Sequence, residues 1–136
     1  MRVQRLTRAV IGCVAIVLGA AYAQESTKGK PSAKVMELDS AGRRELTLLS
    51  GPPETVTMRS GLVSLEPNQS VGKHSTKGNE EMLVVLEGKG KMVFNDGSEL
   101  AVEANHVLYC PPQTEHNVVN TGTGTLRYVY IVAKAE

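Results

Sequence analysis

Short apolar stretches alternate with turn-forming residues along the chain from about residue 45 onward. Glycine, proline, asparagine and aspartate separate the stretches, and these residues favour tight turns. A recurrence of about 8–12 residues is typical of an all-β sandwich or barrel, and no long helical periodicity is present. The pattern predicts strands at Glu45–Leu49, Thr55–Leu65, Met82–Glu87, Lys91–Asn95, Glu99–Val102, His106–Cys110, His116–Asn120 and Thr125–Ala133.

Two of these stretches predict local detail. The segment Asn95-Asp96-Gly97 predicts a tight hairpin, because Asp-Gly accepts positive φ. The run from Met82 to Leu86 is apolar at every position, so we expect both faces of this strand to be covered. One cover is the interior of the fold, and the other is a second sheet, the N-terminal segment or a partner subunit. Since the last predicted strand also has few polar residues, the pattern favours a homodimer.

The N-terminal residues follow a different pattern. Arginines at positions 2, 5 and 8 precede an unbroken apolar run, which ends in the small-x-small sequence Ala21-Tyr22-Ala23. This is typical of a secretory signal peptide over residues 1–23, because the run is too short to span a membrane as a helix. An uncleaved anchor is the alternative. Residues 24–34 are polar and predict a flexible leader, so residues 35–136 form the predicted domain of a periplasmic or secreted protein.

Composition and charge exclude several classes of protein. The 136 residues carry a formal net charge of +1, from 15 basic and 14 acidic side chains, and contain no Trp and one Phe. This balance argues against a nucleic-acid partner, and no membrane association is expected after cleavage. Removal of the signal peptide takes Cys13 with it and leaves Cys110 alone, so no intrachain disulfide can form. Because Cys110 follows three apolar residues, we expect a buried thiol.

The histidines supply the candidate chemistry. His74 and Thr76 share one face of a strand, because residues two apart point the same way. Glu81 follows across a short turn and His116 comes from a later strand. Two imidazoles and one carboxylate that converge inside a barrel make a divalent-metal site with open coordination positions. His106 lies at a strand start and is expected to be exposed.

The first part of this spacing resembles a known motif. The positions Asn68, His74, Thr76, Glu81 and Gly88 match the spacing of the first motif of the cupin superfamily, G-x5-H-x-H-x3-4-E-x6-G. The count of six residues before Gly88 favours Glu81 over its neighbour Glu80 as the ligand, which leaves Glu80 on the outer face.

A second motif follows at family spacing. Asn105, Pro111, Gln113, His116 and Asn120 match G-x5-P-x-G-x2-H-x3-N, and the gap between the motifs is short, as in small bacterial cupins. The chain therefore resembles a small single-domain bacterial cupin. The resemblance implies a single cupin-type β-barrel, a double-stranded β-helix similar to a jelly roll. It also implies a small-molecule ligand and a divalent metal ion, with Fe, Mn, Ni and Zn as the candidates.

The departures from the motifs are informative. Asn68, Asn105 and Gln113 stand where the family has glycine, and asparagine is the next residue able to adopt a left-handed conformation. Gln113 is harder to explain on this ground. Thr76 replaces the second metal histidine, and a neutral hydroxyl is a poor ligand for such an ion.

Loss of that histidine reduces the implied ligand set to His74, Glu81 and His116. Thr76 then lies near an open position, where its hydroxyl is a candidate contact for a metal-bound water or a substrate oxygen. If the site binds metal, the set resembles that of non-haem Fe(II) dioxygenases acting on a small organic molecule. If it does not, the same residues line a non-catalytic barrel that binds a small ligand, for example a sugar. A closed structural barrel is the third possibility.

Overall fold

The computed structural model describes residues 30–135. The predicted signal peptide and the first residues of the predicted leader lie outside this range. Within it, no helix is long and apolar enough to cross a membrane. The described chain forms nine strands: β1 (Glu45–Leu49), β2 (Arg59–Leu65), β3 (His74–Ser75), β4 (Asn79–Glu87), β5 (Lys89–Phe94), β6 (Glu99–Glu103), β7 (Val107–Cys110), β8 (Glu115–Asn120) and β9 (Leu126–Lys134).

The strands form two antiparallel sheets that enclose one core. The five-stranded sheet has the order β1-β2-β9-β4-β7, and the four-stranded sheet has the order β3-β8-β5-β6. Alternate side chains of each strand point inward, as the two-residue period of a strand requires. The prediction of an all-β cupin-type barrel is confirmed. The buried core consists of Val63, Leu65, Leu83, Val85, Met92, Val102, Leu108, Cys110, Val118, Leu126 and Tyr128.

The predicted hairpin is present between β5 and β6. Gly97 has a φ of 84° and donates its backbone N–H to the carbonyl of Phe94 at 3.1 Å. Val93 pairs with Glu99 at the first position after the turn. The Asp-Gly sequence therefore sets the register of this pair of strands.

Most strands begin and end within three residues of the prediction, but β2 begins four residues late and β3 was not predicted. The strand predicted from Thr55 begins only at Arg59, because residues 55–57 form a bend, and the Thr55 hydroxyl donates to the Met58 carbonyl at 2.5 Å. Strand β3 was not predicted, since two residues are too few for an alternating pattern to be visible.

The apolar run on β4 is covered on one face. Leu83 and Val85 point inward and are 1% and 2% exposed, whereas Met82 and Leu86 point outward and are 40% and 38% exposed. Within residues 30–135, nothing covers this outer face completely, so cover by a partner subunit is the part of the expectation that stays a prediction. The homodimer stays a prediction.

Three motif positions adopt the left-handed backbone that the glycines of the family would favour. Asn68, Asn105 and Gln113 have φ values of 66°, 69° and 59°. The expectation that asparagine preserves these turns is confirmed, and Gln113 follows despite its longer side chain. At Gly88, where φ is 83°, a Cβ atom would lie 2.3 Å from the Thr125 carbonyl oxygen, so this position requires glycine.

Candidate metal centre

The two sheets bring the three predicted ligands together. His74 on β3 and His116 on β8 are direct cross-strand partners, and their ring centroids lie 4.5 Å apart. Glu81 reaches the same place from β4 of the opposite sheet, with its Oε2 3.1 Å from His116 Nε2. One ligand atom from each residue lies within 4.8 Å of the others. The group can hold a metal ion, as the spacing of the sequence predicted.

Burial of the group is uneven. His116 and Glu81 are 1% and 6% exposed, so water reaches neither of them freely. His74 is exposed and forms the outer side of the group. The site therefore has a dry inner side and one side open to solvent.

Backbone carbonyls fix the orientation of both imidazoles. His74 Nδ1 lies 2.9 Å from the Gly72 carbonyl oxygen, and His116 Nδ1 lies 3.0 Å from that of Thr114. A carbonyl can only accept a hydrogen bond, so both Nδ1 atoms carry the proton and donate. In the neutral rings, both Nε2 atoms then keep a free lone pair. Such outer hydrogen bonds are the usual support of metal-binding histidines.

Two buried atoms of the group lack a hydrogen-bond partner. Among the described residues, nothing satisfies Glu81 Oε2 or His116 Nε2, although the two atoms are 3.1 Å apart. Because Nδ1 carries the proton, His116 Nε2 has a lone pair, and this lone pair faces a lone pair of Glu81 Oε2. Buried lone pairs in this position need a cation, either a proton or a metal ion. Nitrogen and carboxylate oxygen suit a divalent transition metal, so the residues fit that group.

The pKa of His116 reflects the same balance. Burial lowers this pKa, but the Glu81 carboxylate 3.1 Å from Nε2 and the hydrogen bond to the Thr114 carbonyl outweigh burial and raise it above its usual value. A proton on Nε2 is thus the competitor of a metal ion at this atom.

Cys110 is buried as predicted, and it also touches a ligand. It lies opposite Glu81 in the pairing of β4 with β7, and its Sγ is 3.4 Å from His116 Nδ1. Burial, together with the negative charge of Glu81, raises the pKa of the thiol, so the thiol stays protonated. Sequence reasoning missed this contact because it depends on the register between strands that are distant in the chain.

The remaining candidates fall outside the group. The Thr76 hydroxyl donates to the Asn79 carbonyl at 2.8 Å within the turn before β4, and its predicted contact with water or substrate stays a prediction. His106 is half exposed beside Glu103, as expected. Glu80 accepts a hydrogen bond from the Tyr109 hydroxyl at 3.1 Å on the outer face, as the motif count predicted.

A cavity of about 240 Å³ opens beside the group and includes His74 in its wall. The Tyr130 hydroxyl donates to Glu45 Oε1 at 3.3 Å. The sequence did not predict that Glu45, Tyr128 and Tyr130 line this cavity, because nothing in their spacing distinguishes them from other strand positions. The other lining residues are Glu45, Val63, Val71, Tyr128 and Tyr130.

The Glu45 carboxylate places a negative charge at the wall of this cavity. Burial raises the pKa of Tyr130, and the charge of Glu45 and its hydrogen bond add to that effect. The opposing influence of Arg59 is smaller. The pKa of Tyr128 is also raised, first by burial and then by the charges of Glu81 and Glu45. Both tyrosines therefore remain neutral hydrogen-bond donors.

One curated protein is similar to this chain in sequence. A curated relative, the oxalate-binding protein of Thermotoga maritima, is 31% identical over 71 residues, which are 52% of this chain and 57% of that protein. The chain thus matches a little over half of the length of that relative.

Solved structures of low identity are also similar. A Cupin 2 conserved barrel domain protein from Salinispora arenicola gives a TM-score of 0.63 at 22% identity, and the match covers 76% of this chain and 91% of that one. A Thermotoga maritima protein described as a predicted oxalate decarboxylase gives 0.54 at 19% identity, with 73% and 99% covered. These likenesses concern the fold alone. The Cupin domain family matches residues 61–132, more than half of the chain and all three candidate ligands. The chain therefore belongs to the cupin family.

Proposed function

We propose that the chain is an exported cupin that binds a divalent metal ion through His74, Glu81 and His116 and acts on a small organic molecule with dioxygenase-type chemistry. The observation that carries this proposal is the buried pair of Glu81 Oε2 and His116 Nε2, neither of which has a hydrogen-bond partner among the described residues. Two histidines and one carboxylate with open positions are the ligand set of non-haem Fe(II) oxygenases. When bound, the metal supplies a Lewis acid and coordination positions for oxygen and substrate.

Some residues around the group orient the metal ligands, and others line the cavity that a ligand would enter. The Gly72 and Thr114 carbonyls keep both Nε2 lone pairs available. His74 belongs to the group and also to the cavity wall, so a ligand in the cavity lies beside the open side of the group. A cavity of about 240 Å³ is smaller than those of drug-sized ligands, which take about 300–1,000 Å³. This size supports a small substrate.

Anaerobic loading with Fe(II) tests the proposal without knowledge of the substrate. We expect the loaded protein to bind nitric oxide, which reports on open coordination positions, and to give the half-integer electron paramagnetic resonance signal of a ferrous nitrosyl complex. His116→Ala should abolish the signal, whereas His106→Ala, outside the group, should retain it. Stable Fe(II) binding without any nitrosyl signal would overturn the oxygenase proposal and leave metal binding intact.

A second candidate function, a non-catalytic binding barrel, is favoured by one observation. The curated relative is called an oxalate-binding protein. A binding barrel predicts that oxalate raises the unfolding temperature even after metal removal, because a ligand that binds only the folded state stabilises it. The enzyme proposal predicts stabilisation that needs the metal. Calorimetry of metal-free and metal-loaded protein with oxalate separates the two.

The charge of Glu45 bears on which ligand enters. A carboxylate at the cavity wall repels a dianion, so Glu45 should weaken the binding of oxalate relative to a chain without that charge. We expect Glu45→Gln to strengthen oxalate binding by about threefold to tenfold, the effect of one partly screened charge. The matched control is Glu99→Gln on exposed strand β6. Equal oxalate affinity in all three proteins would show that Glu45 does not select the ligand.

A further inference from the structure

A second groove lies on the outer face of the five-stranded sheet, away from the metal group. Its volume is about 400 Å³, and it lies between the loop that precedes β1 and the neighbouring ends of β2 and β9. Three arginines line it, Arg43, Arg44 and Arg127. None of its lining residues belongs to the His74, Glu81 and His116 group or to the cavity beside that group.

The three guanidinium groups are held in place by the backbone. Each donates one hydrogen bond to a carbonyl oxygen: Arg43 to Ser40 at 3.0 Å, Arg127 to Leu38 at 3.0 Å, and Arg44 to Ser70. A guanidinium has five N–H donors in a fixed plane, so each keeps donors for a ligand. These hydrogen bonds already order the arginine side chains, so ligand binding loses less side-chain entropy.

Positive charge exceeds negative charge in this groove. Four lysines of the described surface, Lys34, Lys73, Lys89 and Lys91, each lie within 4.0 Å of a glutamate carboxylate. Within residues 30–135, Arg43 and Arg44 have no such partner, and Arg127 has Glu87 at 3.5 Å. Glu66 is the acidic residue of the groove wall. An anion that enters therefore meets a net positive site.

Ser64 lies at the base of the groove, and its hydroxyl is covered. It is the cross-strand partner of Arg127 and lines the same groove. Its Oγ atom is buried and has no hydrogen-bond partner among the described residues. A buried hydroxyl without a partner costs free energy, and a ligand oxygen beside Arg127 that displaces the atoms covering Oγ would remove that cost.

We propose that this groove binds a tetrahedral oxyanion, the phosphate group of a small phosphorylated molecule, through the three arginines and Ser64. Three arginines and Ser64 line the same groove, and several forked donors suit a group with three or four oxygens better than a carboxylate with two. The groove is larger than one phosphate needs, so the rest of its volume is left for the organic part of the ligand. The site is independent of the proposed metal chemistry.

Calorimetry and thermal unfolding of chelator-treated protein at constant ionic strength test this proposal. We expect inorganic phosphate to bind saturably and to raise the unfolding temperature, while acetate at the same concentration does neither. A parallel titration with inorganic sulfate distinguishes a phosphorylated from a sulfated natural ligand, because tighter binding identifies the preferred oxyanion. Failure of phosphate and sulfate alike to bind would overturn the proposal, as would equal binding of acetate.

Substitutions locate the binding. Arg44→Gln should weaken phosphate binding about tenfold or more, the value of one charge-assisted hydrogen bond. Ser64→Ala should weaken it about threefold without lowering stability, since the hydroxyl makes no hydrogen bond within the described residues. Lys91→Gln, on the other sheet, is the control and should bind as the unchanged protein does. Identical affinities in all variants would contradict the assignment to this groove, and Ser64→Ala keeps the test decisive if Arg44→Gln fails to fold.

Discussion

Two buried polar side chains on β8 differ in how completely they are hydrogen-bonded. His116 and Asn120 lie four residues apart on the same face, and each is 1% exposed. The Asn120 amide nitrogen donates to the carbonyls of Leu65 and Gly124, both at 2.8 Å, and its oxygen accepts from Gly122 N–H at 2.8 Å. His116 Nε2 has no partner among the described residues.

The difference separates a structural end of the barrel from the end that carries the candidate metal group. Asn120 ties β8 to the end of β2 and to the turn before β9, so its hydrogen bonds are complete within the chain. His116 belongs to a group whose bonding is completed only by a cation. Both residues are part of the second motif, so the motif alone does not distinguish the two roles. The two roles are distinguished by whether every polar atom of the buried side chain has a hydrogen-bond partner within the described residues.

The largest effect is expected from Glu81→Gln. Loss of the carboxylate should lower metal affinity by more than about 100-fold, which exceeds the usual cost of losing an outer-shell partner. Above the folded pKa of His116, the metal-free protein should be as stable as before or more stable, because a glutamine amide can donate to His116 Nε2 and no buried charge remains. Isothermal calorimetry with Zn(II) and thermal unfolding measure the two effects. Glu80→Gln is the matched control, and equal loss of affinity in it would contradict the assignment of Glu81.

Asn120→Ala should show the reverse pattern. Removal of three hydrogen bonds leaves buried backbone groups unpaired, so we expect the free energy of unfolding to fall by about 2–4 kcal/mol. Metal affinity of the folded protein should change little. Chemical denaturation measures the loss, with Asn95→Ala at an exposed turn as the control. A large loss of metal affinity at unchanged stability would remove the distinction between the two ends.

The pH dependence of the metal-free protein sharpens the comparison. The pKa of His116 is raised in the folded state, so its contribution to stability is full below the unfolded pKa of about 6.5 and is lost as pH rises through the folded pKa. Metal affinity should move the other way and weaken as pH falls through that folded pKa, because the proton occupies Nε2. Thermal unfolding against pH tests the first statement, and Glu81→Gln should flatten the curve. A metal-free protein whose stability rises across this window would contradict the assigned proton.

The smallest effect is expected from Thr76→Ala. The Thr76 hydroxyl is bonded to the Asn79 carbonyl, so its loss should cost about 0.5–1.5 kcal/mol of stability. Metal affinity should stay within about twofold, since the contact lies in the turn rather than in the ligand group. Calorimetry with the same metal checks this. A tenfold loss of affinity would instead support a role for the hydroxyl at an open coordination position.

The sequence predicted most of the fold and all three candidate ligands. Turn residues and apolar alternation predicted the long strands, and the motif spacing predicted that His74, Glu81 and His116 converge. It did not predict β3, because a strand of two residues has no period. It also missed the contact of Cys110 with His116 and the cavity wall at Glu45 and Tyr130, since these depend on the register and proximity of residues far apart in the chain.

The outer face of β4 shows a different limit. The apolar run predicted that Met82 and Leu86 are covered, yet both are exposed in the single chain. A hydropathy pattern reports that a surface is apolar and does not report what covers it. Sedimentation of the protein tests the predicted homodimer.

Metal affinity of the unchanged protein against that of His116→Ala tests the central claim most directly. Purified protein is stripped of metal, exchanged into chelator-free buffer and titrated with Co(II), whose visible absorption reports its ligands. The unchanged protein and the His106→Ala control should bind one ion per chain with the same spectrum, and His116→Ala should bind at least about 100-fold more weakly. Equal binding in all three proteins, or none in the folded, unchanged protein, would contradict the account.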